Sequence, residues 1–83
     1  MKITLKLFAT LTDYLPAHAK GNVADMEVAD GKSLGALVDE LRLPEKLVHL
    51  VLVNGAYVAP DARAAHQLVE GDTLAIWPPI AGG

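Results

Sequence analysis

The sequence predicts an α+β fold: a mixed sheet of four to five strands with one main helix packed on one face. Three features carry that expectation. Both ends of the chain show strand-type alternation, one stretch between them has helical spacing, and turn signals cut the remainder into short extended segments.

Residues 2–8 alternate, with Ile3, Leu5 and Leu7 toward one face and Lys2, Thr4, Lys6 and Phe8 toward the other. Phe8 therefore falls on the side away from the core. Residues 10–16 read as a loop containing a helical turn, and Lys20-Gly21-Asn22 as a turn into a second strand at about 23–29. There Met26 and Val28 face inward, and Asp25 and Glu27 outward. Asp30-Gly31 ends that strand, and Ser33 is the expected N-cap of a helix in which Leu34, Leu37, Val38 and Leu41 form one apolar stripe. Pro44 disfavours helical geometry at Leu43, so the helix is expected to finish by about Arg42.

Pro44-Glu45-Lys46 turns the chain into residues 48–53, an almost continuously apolar run suited to the sheet interior. Asn54-Gly55 is a strong hairpin signal. Residues 57–59 form a short return strand halted by Pro60, and residues 61–69 a loop with a helical turn. Glu70-Gly71-Asp72 then turns into the last strand, 73–78, where Leu74 and Ile76 face the core and Ala75 and Trp77 share the opposite face. The first and last strands are expected to be central, parallel neighbours. That arrangement brings Phe8 and Trp77 out together at one end of the sheet.

With 83 residues there is room for one domain, expected over 1–79, followed by a flexible C-terminal tail at 80–83. Hydrophobic residues make up 52% of the chain, enough for a core without staples. Ten acidic against seven basic residues give a formal net charge of -3, and the basic residues are scattered, which argues against nucleic acid and against anionic membranes as partners. The absence of cysteine removes disulfides, cysteine-based metal sites and thiol nucleophiles. The start of the chain enters a strand pattern without a charged leader or apolar signal core, so a cytoplasmic protein is expected.

Few residues offer chemistry of their own. His18, His49 and His66 are too far apart in sequence to form a local metal motif, so no metal site is expected. Ser33, the only serine, is better used as a helix cap than as a nucleophile. Asp30-Gly31-Lys32-Ser33 matches only the end of a phosphate loop and lacks its upstream glycine, so the chain is not expected to bind and spend ATP by itself, and no bound cofactor is expected. The chain is expected to be non-catalytic on its own. What remains is the ending, Trp77-Pro78-Pro79-Ile80-Ala81-Gly82-Gly83. Pro78 and Pro79 lack N–H donors and stop strand pairing. Ile80 offers one apolar anchor, Ala81 is small, and Gly82 and Gly83 have no Cβ, so this backbone fits a slot too narrow for other residues. The Gly83 carboxylate is the expected reactive group, with Phe8, Tyr57, Trp77, Pro78 and Pro79 as a partner surface at its root.

These residues resemble the MoaD/ThiS family of sulfur carriers over essentially the whole chain. The resemblance rests on Val51-Leu52-Val53-Asn54-Gly55, Glu70-Gly71-Asp72 and the ending from Trp77 to Gly83, in family order and at suitable spacing. It implies a β-grasp, ubiquitin-like fold. It also implies that an E1-like adenylating enzyme converts the Gly83 carboxylate to an acyl-adenylate with ATP, after which a sulfurtransferase or other persulfide donor leaves a thiocarboxylate. Pro78-Pro79, an aliphatic residue and Ala81-Gly82-Gly83 are similar to the small subunit of molybdopterin synthase, whose partner is a MoaE-like large subunit. The short link at 43–50 is similar to thiamine-type carriers, whose partner is a thiazole synthase. In the molybdopterin case the resemblance places Phe8, Tyr57 and Trp77 at apolar contacts to the large subunit. A ubiquitin-like modifier joined to lysines of other proteins, and a plain interaction module with an inert tail, are the competing readings.

Overall fold

The structure, a computed structural model, describes residues 1–79; the expected tail, Ile80, Ala81, Gly82 and Gly83, lies outside the described residues. Strands β1 (Lys2–Leu7) and β2 (Val23–Glu27) precede helix α1 (Leu34–Glu40), and β3 (Leu50–Val53), β4 (Ala56–Tyr57) and β5 (Thr73–Trp77) follow it. They form one five-stranded sheet in the order β2-β1-β5-β3-β4. The first and last strands are indeed parallel neighbours, with Leu5 beside Leu74 and Leu7 beside Ile76, while the other pairs are antiparallel.

The alternation in the sequence becomes the core. Ile3, Leu5 and Leu7 of β1, Leu74 and Ile76 of β5, and Val51 and Val53 of β3 are buried with Leu34 and Leu37 of α1. Each such side chain contributes roughly 1.5–3 kcal/mol when removed from water. Among the described residues no helix covers the opposite face of the sheet, where the alternate residues lie.

Helix α1 begins as its sequence dictates, with the Ser33 hydroxyl accepting from the Ala36 N–H at 3.1 Å. It ends before Pro44 can act. Arg42 takes a left-handed conformation, φ 59°, so that its N–H donates to the Asp39 carbonyl and the Leu43 N–H reaches back to the Val38 carbonyl. That double closure normally uses glycine, and burial of Leu43 against the core holds it here. On the other side of the helix, a Cβ on Gly35 would lie 2.9 Å from the Ala64 Cα, and the Gly35 N–H donates to the Arg63 carbonyl. The Arg63 guanidinium in turn donates to the carbonyls of Val58, Val48 and His49 at 3.0–3.1 Å. The loop after Pro60 is thereby tied both to the helix and to the approach to β3.

The two turn motifs of the sequence are physically joined. Asn54 and Gly55 both have positive φ, 52° and 83°, in a two-residue loop that pairs Val53 with Ala56. The Asn54 side-chain amide donates to the Asp72 carboxylate at 2.8 Å, and its oxygen accepts from the Thr73 N–H at 2.8 Å. Asp72, only 5% exposed, also accepts from the Val69 N–H through its second oxygen.

Several boundaries differ from the sequence reading. The run at 48–53 yields a strand only from Leu50, because Glu45–Leu47 forms a 3-10 turn. The return strand is two residues long, because Val58 turns inward, buries its side chain and donates to the Val51 carbonyl. With so short a neighbour, β3 is interior by order yet leaves Leu50 36% exposed.

Candidate functional site

Parity places Phe8 and Trp77 on the uncovered face. Because Leu7 pairs with Ile76 across the parallel ladder, the next residue of each strand shares a row, and the two rings stack with centroids 4.1 Å apart and planes 9° from parallel. Both side chains are half-buried. The Phe8 N–H donates to the Ile76 carbonyl at 3.3 Å, and the His49 N–H to the Trp77 carbonyl at 3.1 Å. Pro78 and Pro79, half-buried and exposed respectively, follow at once and have no N–H to continue the ladder. The stack thus stands at the root of the chain's last segment.

Leu50 pairs with Trp77 and joins that row. In the next row toward the start of β1, register aligns Lys6, Ala75, Leu52 and Tyr57. Tyr57 is therefore on the predicted face, 58% exposed, but one row farther from the tail root than Phe8 and Trp77 and two strands removed. It also borders a separate groove with Val53, Ala56, Val58, His66 and Val69. Leu50 and Leu52 are members of the face that sequence reasoning missed. An unbroken apolar run does not reveal which of its residues points which way; only the pairing with β5 does.

Charge is concentrated at the other end of the sheet. There the Met1 amino group donates to the Val28 carbonyl at 2.7 Å and to the Asp30 carboxylate at 3.0 Å. The hydrogen bond that it donates to Asp30 raises the pKa of the Met1 amino group above the usual value, with smaller additions from the charges of Asp30, Glu27 and Glu70 against a lowering by burial. The histidines are dispersed: His18 lies on the β2 edge, its Nε2 2.7 Å from the Asp25 carbonyl oxygen. No group of three metal-ligating side chains occurs among the described residues. A groove of about 560 Å³ lies between α1 and the Pro60 loop and includes neither Phe8 nor Trp77. Among the described residues no helix is long and apolar enough to cross a membrane. What the arrangement offers, at the end of β5, is the Phe8–Trp77 stack with Leu50 beside it.

No curated protein sequence matches this chain. Its structure is similar to the crystal structure of SAMP1, small archaeal modifier protein 1, from Haloferax volcanii, at 25% identity over 100% of both chains with a TM-score of 0.70. A putative molybdopterin converting factor subunit 1 from Pyrococcus furiosus matches at 22% identity, over 95% of this chain and 98% of that one, with a TM-score of 0.68. A chain from the complex of subunits 1 and 2 of the molybdopterin-converting factor from Helicobacter pylori matches at 19% identity over 100% of both chains, with a TM-score of 0.60. These likenesses share the ubiquitin-like β-grasp architecture described above. The model of the ThiS family matches residues 5–83, nearly the whole chain, and the protein belongs to the ThiS family.

Proposed function

We propose that this protein is a sulfur carrier whose reactive group is the Gly83 carboxylate. Family membership gives the coarser statement, a ThiS/MoaD-like sulfur carrier or a ubiquitin-like modifier. The finer reading is carried by one observation: the Phe8–Trp77 stack, on a face no helix covers, at the root of the Pro78-Pro79 ending. An E1-like adenylating enzyme joins the carboxylate oxygen to the α-phosphate of ATP and releases pyrophosphate. A persulfide sulfur then attacks the acyl carbon and displaces AMP, and a second thiol reduces the sulfur–sulfur bond to leave the thiocarboxylate. Gly82 and Ala81 keep the reacting backbone thin, and Ile80 supplies an apolar anchor in the partner's channel. Phe8, Trp77, Pro78 and Pro79 dock the domain, with Tyr57 at the margin of that contact.

The acceptor we propose is the pterin precursor of molybdopterin, with the chain as the small subunit beside a MoaE-like large subunit. Its ending and its likeness to a converting-factor subunit support that choice. Conjugation to lysines is the second reading, favoured by the likeness to SAMP1. Intact-mass spectrometry of the protein isolated with its sulfur donors tests both. One terminal oxygen replaced by sulfur is the expected result; lysine-linked conjugates would establish the modifier, and an unaltered terminus under active cofactor synthesis would remove both.

A further inference from the structure

Asn54 is held more tightly than its place in a turn requires. Besides the positive φ of the turn, it makes three bonds to the start of β5: its N–H donates to the Thr73 carbonyl, its side-chain oxygen accepts from the Thr73 N–H, and its side-chain nitrogen donates to Asp72, each at 2.8 Å. That carboxylate is only 5% exposed, and its other oxygen accepts from the Val69 N–H at 2.9 Å. The pair therefore accepts an amide at position 54 and excludes an acid. An oxygen in place of the Asn54 side-chain nitrogen would face the Asp72 oxygen as anion against anion.

The next residue makes that exclusion matter. Gly55 has no Cβ to shield its backbone nitrogen, and in an open chain this nitrogen can attack the Asn54 side-chain carbonyl carbon. The nitrogen loses its proton, ammonia leaves, and a five-membered succinimide closes. Water then opens the ring at one of its two carbonyls, giving aspartate if the side-chain bond breaks and isoaspartate if the main-chain bond breaks. No oxidant or reductant is involved. In the closed hairpin both polar atoms of the Asn54 amide are bound to residues 72 and 73, so its carbon cannot swing onto the Gly55 nitrogen without breaking both bonds. We propose that Asn54 is a self-modifying site gated by opening of the hairpin: clamped and inert in the folded chain, it deamidates when released, and the acid it leaves keeps the chain from closing as firmly again. Asn22, the only other asparagine, precedes Val23, whose branched side chain crowds the attacking nitrogen. The gate operates whatever the chain end carries.

The test follows deamidation of the full chain at mildly alkaline pH by peptide mapping, in buffer and in enough urea to unfold it. Asn54 should react about tenfold or more slowly in buffer, because only the fraction of molecules that opens exposes it. Equal rates in the two conditions, or no reaction at Asn54 in urea, overturn the proposal. Variants test the consequence of the reaction. Asn54→Asp should have a lower urea midpoint than wild type at neutral pH. Combining Asn54→Asp with Asp72→Asn exchanges the two groups, so that an amide at position 72 donates to an acid at position 54 while its oxygen still accepts from the Val69 N–H. At least about half of the lost midpoint should then return. An Asn54→Asp midpoint equal to that of wild type, or an exchanged pair no more stable than Asn54→Asp alone, overturns the proposal.

Discussion

Asp72 shows how much can hang on one side chain in a small domain. Its carboxylate holds the Asn54 amide and the Val69 N–H, so truncation strands two donors at the junction of the hairpin and the last strand. Asp72→Ala should lower stability by about 2–3 kcal/mol in urea unfolding, whereas Asp72→Asn should cost less because an amide oxygen still accepts one of the two bonds. Trp77 makes the opposite case. Half-buried against Phe8, it should contribute about 1 kcal/mol to folding but roughly 2 kcal/mol or more to partner binding, as central aromatic anchors do. Calorimetric titration beside unfolding of Trp77→Ala measures both numbers, and a loss confined to folding would place the ring among structural residues instead. The parity of Phe8 and Trp77 was legible in the sequence because alternation carries along a strand from its buried residues. The bonds of Asp72 were not, because nothing in Glu70-Gly71-Asp72 tells which distant turn its carboxylate meets.

At the level of elements, capping at the start of α1 was readable from Ser33 and its finish by about Arg42 from Pro44, but the device that stops it was not. Pro44 set an outer limit, and the actual stop is Arg42 in a conformation that an L-residue adopts at a cost. Arg42→Gly should therefore raise stability by about 0.5–1 kcal/mol, read as a higher urea midpoint with unchanged slope. Destabilisation would mean that the Arg42 side chain makes a contribution larger than its backbone strain. The hairpin at Asn54-Gly55 was legible since few dipeptides accept two positive φ values in succession. Strand lengths were harder. Residues 48 and 49 look as strand-like as their successors, and only the Arg63 guanidinium, reaching their carbonyls from another part of the chain, shows that those acceptors are already taken. Gly35 was silent for the same reason: the backbone it lets approach, at Ala64, belongs to a loop without a recognisable pattern.

For the molecule as a whole, the division of labour follows from its two faces. The helix side is closed by aliphatic packing, and the opposite side carries the aromatic stack, Leu50, Leu52 and Lys6. Removing Gly83 should abolish the proposed sulfur loading, seen by intact mass, while the thermal midpoint stays within a degree or so, because the core is built from residues far from that end of the chain. A large fall in the midpoint would make that segment structural. The pairing of β1 with β5 has a kinetic corollary. Strands from opposite ends of the chain meet at the centre of the sheet, so neither can separate without dissolving the whole. Their amides at Leu5, Leu7, Leu74 and Ile76 should be the last to take up deuterium, exchanging only when every molecule opens fully. Gly83 thus follows in sequence the strand that exchanges slowest, and the proposed loading of its carboxylate presupposes a chain whose first and last strands have already found each other.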